Sequence, residues 1–515
     1  MKPTSFFVAA LLLPVMLPVA AQAQQPLSAI DWLDKQVAVP VAQALNAKPA
    51  SEPPVSESAV TPGVEVTPLD AVRADAVGLL PTATTGLPRT LWAASDQTTL
   101  IRLLGQMDAH PLPAIQALNY TLLLAEADAP AQSSADAKFL RARVHALVGY
   151  GAIEPARALL ERAGPGTDIL FDTWLSLTLL SGDEDQPCAM LRQRPQLSHD
   201  YGARVYCIAR AGDWDTAALT YDTAVALGNL KGAEADLLAQ YLDPEMIETT
   251  PIPPMPKSPS PLVFRLYESS GAPLPTRRLP VGFAMADLRG TAGWKSEVEA
   301  AERLARTGAV SDGRLLGLYT ERQPAASGGL WDRVKAIQAF DKALFTRSPE
   351  DVAKTLPDAW SVAKSQSLET QFAQMFSDKL LEITLPDPAR ALAQEITLLS
   401  QDYEIAAGKI SPETARDRLL IGIAKGSPSP DDATSGMQRA IVAGFAAQAA
   451  AGEHETLLQS GKLGEAILRA SQLIGHGAAG SENHVTEALA TLRAVGLEDT
   501  ARRAALQLIL LGSPQ

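Results

Sequence analysis

The stretch that decides the fold runs from Tyr201 to Leu230, YGARVYCIARAGDWDTAALTYDTAVALGNL. It reads as two helices joined by a tight turn at Ala211-Gly212-Asp213. The first helix carries Val205, Ile208 and Ala209 on one side. The second carries Trp214, Ala217, Ala218, Tyr221, Ala224, Val225 and Leu227, an apolar face at i, i+3/i+4, i+7 spacing. Small alanines at 217 and 224 let a neighbouring helix approach closely, and Trp214 and Tyr221 are expected to fill the gaps. Such a hairpin cannot bury its face alone, so it requires stacked neighbours.

The hairpin serves as a ruler for the rest of the chain. From Gly212, small or apolar residues fall at Ala217, Tyr221 and Ala224. The same offsets follow Gly151 (Ala156, Leu160, Ala163), Gly461 (Ala466, Ala470, Leu473) and Gly496 (Ala501, Ala505, Leu508). Gly461 and Gly496 stand 35 residues apart, close to the roughly 34-residue period of tetratricopeptide hairpins. Gly-Asp-Trp-x-x-Ala-x-x-x-Tyr-x-x-Ala at 212–224 resembles the second half of a tetratricopeptide repeat. Two positions depart from that pattern. Asn229 stands near where the family has proline, and Val205 where a small residue is expected. No clean copy lies between Gly212 and Gly461. The resemblance implies an all-α protein, its antiparallel hairpins stacked as a TPR-like α-solenoid.

Composition agrees with the helical reading. Of 515 residues, 46% are hydrophobic and only 5% aromatic. β-branched residues show no sustained alternation, which argues against strands. The formal charge of -14 argues against nucleic acid as a partner. The basic dipeptides Arg277-Arg278 and Arg502-Arg503 do not override it.

The first residues read as an address. Lys2 precedes an apolar run from Phe6 to Ala21, broken by Pro14 and Pro18 and ending in Ala21-Gln22-Ala23. This is the pattern of a secretory signal peptide over 1–23, cut after Ala23. No second stretch of about 20 apolar residues follows, so no membrane span is expected after its removal. The periplasm is the expected compartment. A short helix is expected within 24–45, with Ser28 as N-cap and Trp32 on it. Residues 46–68 read as a Pro/Ser linker.

The division of the remaining chain is expected to follow proline. An N-terminal helical arm takes 69–248, and a C-terminal arm takes 281–515. Between them, 249–261 carries six prolines, and 249–280 reads as an irregular crossover. Within the first arm, the apolar stretch Val77, Leu79, Leu80, Leu87, Leu91 and Trp92 is too rich in Gly and Pro for a long helix. It needs a groove to cover it and is expected to line the first helices. Within the second arm, Pro357 is expected to separate helices at 349–355 and 358–363, and a single helix is expected over 386–407.

Cys188 and Cys207 are the only cysteines. An even count in an oxidising compartment favours a disulfide, with buried free thiols or redox and metal chemistry as the alternatives. The six histidines form neither His-x-x-x-His nor His-Glu-x-x-His. There is no Gly-x-Ser-x-Gly elbow, phosphate loop or dinucleotide fingerprint. No catalytic residue, cofactor or metal site is expected. The expectation is a non-enzymatic periplasmic protein that binds a protein or peptide or scaffolds an envelope complex. An accessory or degenerate cell-wall enzyme is the alternative. A glycan- or ice-binding surface would need regular Thr or aromatic arrays, which the chain lacks.

Overall fold

At Gly212 the backbone turns left-handed, with φ +83°. The Gly212 amide donates to Ala209 O and the Asp213 amide to Ile208 O, which closes the helix Tyr201–Arg210. A side chain would be strained in this conformation, whereas glycine enters it freely. Gly151, Gly461 and Gly496 have φ of +77°, +73° and +82°, with the same pair of amide bonds behind each. Ala156, Ala217, Ala466 and Ala501, five residues on in each case, are fully buried, and so is Ala224. The spacing therefore marks real helix–helix turns with an alanine seam after each. The same turn recurs at Gly308, and at Ser367 with φ +52°, in the span where no sequence copy stands out.

The computed structural model describes residues 73–478 and 481–512. The expected signal peptide 1–23, the helix expected within 24–45 and the expected linker 46–68 lie outside the described residues. Among the described residues there are helices and no strands, with two isolated bridge pairs at Leu80–Ala125 and Asp96–Ala131. Chain neighbours pack on each other throughout. Ile153–Ala163 lies on Asp168–Ser181, Trp294–Arg306 on Asp312–Thr320, and Leu330–Thr346 on Pro349–Ser365. No helix among the described residues is long and apolar enough to cross a membrane.

Helices far apart in sequence meet. Leu463–Ala478 packs on Gln97–Gly105 and Pro113–Leu124, and Glu498–Leu510 packs on Pro113–Leu124. Gln507 Oε1 accepts from the Ala114 amide at 2.9 Å, and Gln472 Nε2 donates to Leu103 O at 3.0 Å. One apolar core consequently joins residues 77–310 to residues 398–508. A second core takes residues 298–399, where Phe340, Phe372, Phe376 and Trp360 stack with ring centroids 4.9–5.5 Å apart.

The Gly- and Pro-rich stretch at 73–92 is threaded over the first helices, as its apolar residues require. Val77, Leu87, Leu91 and Trp92 are buried. The Leu79 and Leu80 amides donate to Leu124 O, and the Glu126 amide to Leu80 O. Arg143 ties the start of the stretch to the end of Pro113–Leu124, its guanidinium donating to Val77 O, Leu123 O and Ala125 O.

Several expectations need correction. Trp214, Val225 and Leu227 do not lie on a covered face. Trp214 is 48% exposed, Leu227 67% and the adjacent Leu219 69%. The helix Trp214–Ala226 packs on Tyr201–Arg210 and Gly232–Leu242 through Ala217 and Ala224, while Tyr221 is part-buried with its hydroxyl on Ala235 O. Residues 261–269 form a helix rather than irregular chain, started by the Ser260 cap and Pro261 at the first position. Pro349–Ser365 runs unbroken through Pro357, because Val352, Leu356, Ala359, Trp360 and Ala363 hold one buried face across it. The helix expected over 386–407 is two, Ala389–Thr397 and Tyr403–Lys409. The buried Ser400 hydroxyl donates to Thr397 O and accepts from the Asp402 amide, and so diverts the backbone from the helix.

Candidate functional site

The proline-rich segment is pinned to the body. No helix crosses 250–259. Tyr267 hydroxyl lies 2.9 Å from both Pro253 O and Pro254 O and shares its single proton between them. The helix Pro261–Ser269 packs on Asp168–Ser181 and Gly232–Leu242. A buried ionic cluster locks the same joint. The carboxylate of Glu184 is fully buried and accepts from Tyr206 hydroxyl at 3.0 Å and Arg265 Nη2 at 2.9 Å. Arg210 Nη1 lies 3.3 Å from it. Burial and the Glu184 charge push the Tyr206 phenol up, so it stays a neutral donor.

Cys188 and Cys207 stand beside this cluster and are joined as a disulfide between Asp185–Gln193 and Tyr201–Arg210. The pair closes a loop with a sequence separation of 19. Replacing both by alanine should cost about 3 kcal/mol in a urea titration under oxidising conditions. Reductant should lower the parent's midpoint to match the double variant and leave the variant's own midpoint unchanged.

Between these elements lies a groove of about 830 Å³. One wall is made by Lys138–Gly149 and Asp168–Ser181, the leading helices of two successive hairpins. Lys138, Arg141, His145 and Val148 recur along one side of the first helix, and Thr173, Ser176, Leu177 and Leu180 along one side of the second. This is helical periodicity, so each helix presents a stripe. The opposite wall is Pro259, Pro261, Pro280 and Phe283. Gly282 is packed tightly there: a Cβ on it would meet Ile153 at 3.0 Å.

The groove is an apolar trough with a polar rim. Val144, Leu177, Leu180, Pro259 and Phe283 are buried, while Lys138, Arg141, His145 and Asp172 are exposed. Lys138 is paired with Asp136 at 2.5 Å. Arg141 has no ion pair among the described residues, which leaves a planar five-donor fork at the rim. Such a site can hold an extended chain by apolar contacts and charge-assisted hydrogen bonds.

None of these rim residues was singled out by the sequence. The two walls are separated by 79 positions between Leu180 and Pro259, and only the return of 259–283 onto the early hairpins forms the trough. The exposed Lys138, Arg141 and His145, spaced along one side of the helix, are the local signal. Gly151, Ala156, Gly212, Ala217, Ala224, Gly461, Ala466, Gly496 and Ala501 serve packing and turns, as described above. His454 is buried on Thr491, with Nδ1 2.7 Å from its hydroxyl, and burial depresses its pKa. Among the described residues no group of three or more His, Cys, Asp or Glu could hold a metal ion. No family model, curated protein or solved structure matches the chain.

Proposed function

We propose that this chain is a non-enzymatic, exported helical-repeat protein that holds an extended segment of a partner protein in the cell envelope. Its hairpins form a TPR-like stack, and the groove over Lys138–Gly149 and Asp168–Ser181 is the binding surface. The observation that carries the reading is that trough, with leading helices of successive hairpins on one side and a pinned proline-rich wall on the other. Repeat stacks use such surfaces because side chains recurring along parallel helices match the spacing of an extended chain. The disulfide fits an oxidising compartment, and the sequence of residues 1–23 supports export.

A photocrosslinking residue at Ser176 tests this, with Leu219 as the control position. One discrete adduct at Ser176, lost when Leu177→Arg fills the trough and absent at Leu219, is the expected result. Equal labelling at both positions, or none at Ser176 in envelope-bearing cells, overturns the reading.

One observation favours a second reading, the accessory or degenerate cell-wall enzyme. A pocket of about 530 Å³ is lined by Glu268, Asp287 and Glu299 together with Arg277, Lys295 and Arg303. Burial raises the Asp287 carboxyl above its ordinary value. Carboxyls in unlike surroundings are what acid–base chemistry requires. Turnover of purified peptidoglycan, abolished by Asp287→Asn, would establish this reading over the first.

A further inference from the structure

A third cavity lies at the seam where the helices of residues 97–124 meet those of residues 463–510. It has a volume of about 450 Å³ and sits between Pro113–Leu124 and Leu463–Ala478. Asn119 lines it and is only 3% exposed. Its orientation follows from its neighbour. Tyr150 hydroxyl has a single proton, and that proton goes to Asp108 O at 3.1 Å. Toward Asn119 the hydroxyl can therefore only accept, and it does so from Nδ2 at 3.0 Å. The amide oxygen Oδ1 is left buried with no hydrogen-bond partner in the protein. A buried acceptor without a donor is costly, so its persistence calls for an explanation.

The other polar atoms of the cavity share that sign. Gln472 lines the cavity and gives one Nε2 proton to Leu103 O, with its Oε1 a further acceptor. Ser471 spends its hydroxyl proton on Ile467 O. Asp108 uses Oδ1 for the His110 amide, and Oδ2 lies across the seam, 3.6 Å from where a Gly475 Cβ would stand. Spare donors remain as well: the second amide protons of Asn119 and Gln472, and the Gln106 amide at the exposed mouth. Four acceptors, one of them charged, thus converge on a space with apolar walls at Ile115 and Leu468.

We propose that this seam cavity binds a primary ammonium group on a short aliphatic arm, held by Asp108, Asn119 and Gln472. An ammonium has three donors and no acceptor, which suits the orphaned Asn119 Oδ1 together with the Asp108 carboxylate. The arm lies along Ile115 and Leu468. Because the lining comes from both ends of the chain, occupancy ties the first helices to the last and stabilises the closed stack by mass action. The proposal concerns a different cavity from the peptide groove and stands whether or not that groove binds a partner. The ammonium could come from a free alkylamine or from a lysine side chain of another protein, and the experiment separates the two.

The test uses the full chain with n-butylamine as probe. Five heavy atoms support binding in the millimolar range, so the probe is taken to about 10 mM. Saturation-transfer NMR and the thermal midpoint are read in parallel. n-Butylamine should bind and raise the midpoint, n-butanol should bind less, and n-butyrate should not bind. Asp108→Asn keeps the backbone carbonyl that Tyr150 uses, so it should fold as the parent does and lose about tenfold in affinity. Asn119→Leu should lose at least as much. A Lys-containing tetrapeptide that binds more tightly than n-butylamine assigns the site to a protein lysine, and the reverse assigns it to a free amine. Equal binding of butyrate, affinity unchanged in Asp108→Asn, or no transfer to n-butylamine in the folded parent overturns the proposal.

Discussion

Arg143→Met should lower the unfolding free energy by about 4 kcal/mol, more than loss of the disulfide. Arg143 is 1% exposed. Its Nε, Nη1 and Nη2 donate to Leu123 O at 2.8 Å, Val77 O at 2.6 Å and Ala125 O at 3.0 Å. Burial holds the guanidinium down to about 10, still above any working pH, so the group stays charged. Its nearest counter-charge is Asp75, itself buried and accepting from the Leu140 amide at 2.8 Å and Gln97 Nε2 at 2.9 Å. Methionine fills similar volume yet orphans three buried carbonyls and strips Asp75 of its cation. Lysine should not rescue, because a point ammonium cannot reach three carbonyls set out for a planar fork. Urea titration gives the loss, and hydrogen exchange should show 77–92 opening first. A variant within about 1 kcal/mol of the parent would mean that the carbonyls find other partners.

The contrast between Arg143 and the ruler glycines shows what the chain discloses before it folds. Gly151, Gly212, Gly461 and Gly496 are visible because a turn is local: one backbone conformation, one residue type and a fixed offset to the next buried alanine. Helix existence is local in the same sense, and most helices stand where the periodicity places them. Where local rules compete, tertiary context decides. Pro357 should end a helix, yet the buried face on both sides of it keeps Pro349–Ser365 whole. Ser400 should be an ordinary helix residue, yet its hydroxyl diverts the backbone. Trp214 looks like core because amphipathicity reports that a face is apolar, not that a neighbour arrives to cover it. The trough and the seam cavity are less visible still. Each is built from residues far apart in sequence, and Asn119 and Arg141 are unremarkable in sequence until those distant walls are in place.

Closure of the stack makes the second large prediction. Gly464→Ala should cost about 3 kcal/mol, although alanine is the better helix former. Gly464 lies in Leu463–Ala478, where that helix meets the threaded stretch. A Cβ there would stand 2.4 Å from two ring carbons of Trp92 and 2.7 Å from Leu91 O. Trp92 cannot give way, since it is 1% exposed and packed edge-on against Phe139 with centroids 5.4 Å apart. Leu91 O is backbone and moves only with the chain. Gly408→Ala is the matched control. It sits in Tyr403–Lys409 with nothing within 4 Å of the added carbon, so it should gain about 0.5–1 kcal/mol from helix propensity. The same methyl group thus carries opposite signs at two helical sites, and only contact between the ends of the chain accounts for the difference. If Gly464→Ala tracked Gly408→Ala in urea, the helix Leu463–Ala478 and the stretch around Leu91 and Trp92 would have to stand apart in solution. The seam cavity, which Leu463–Ala478 lines, would then lose a wall.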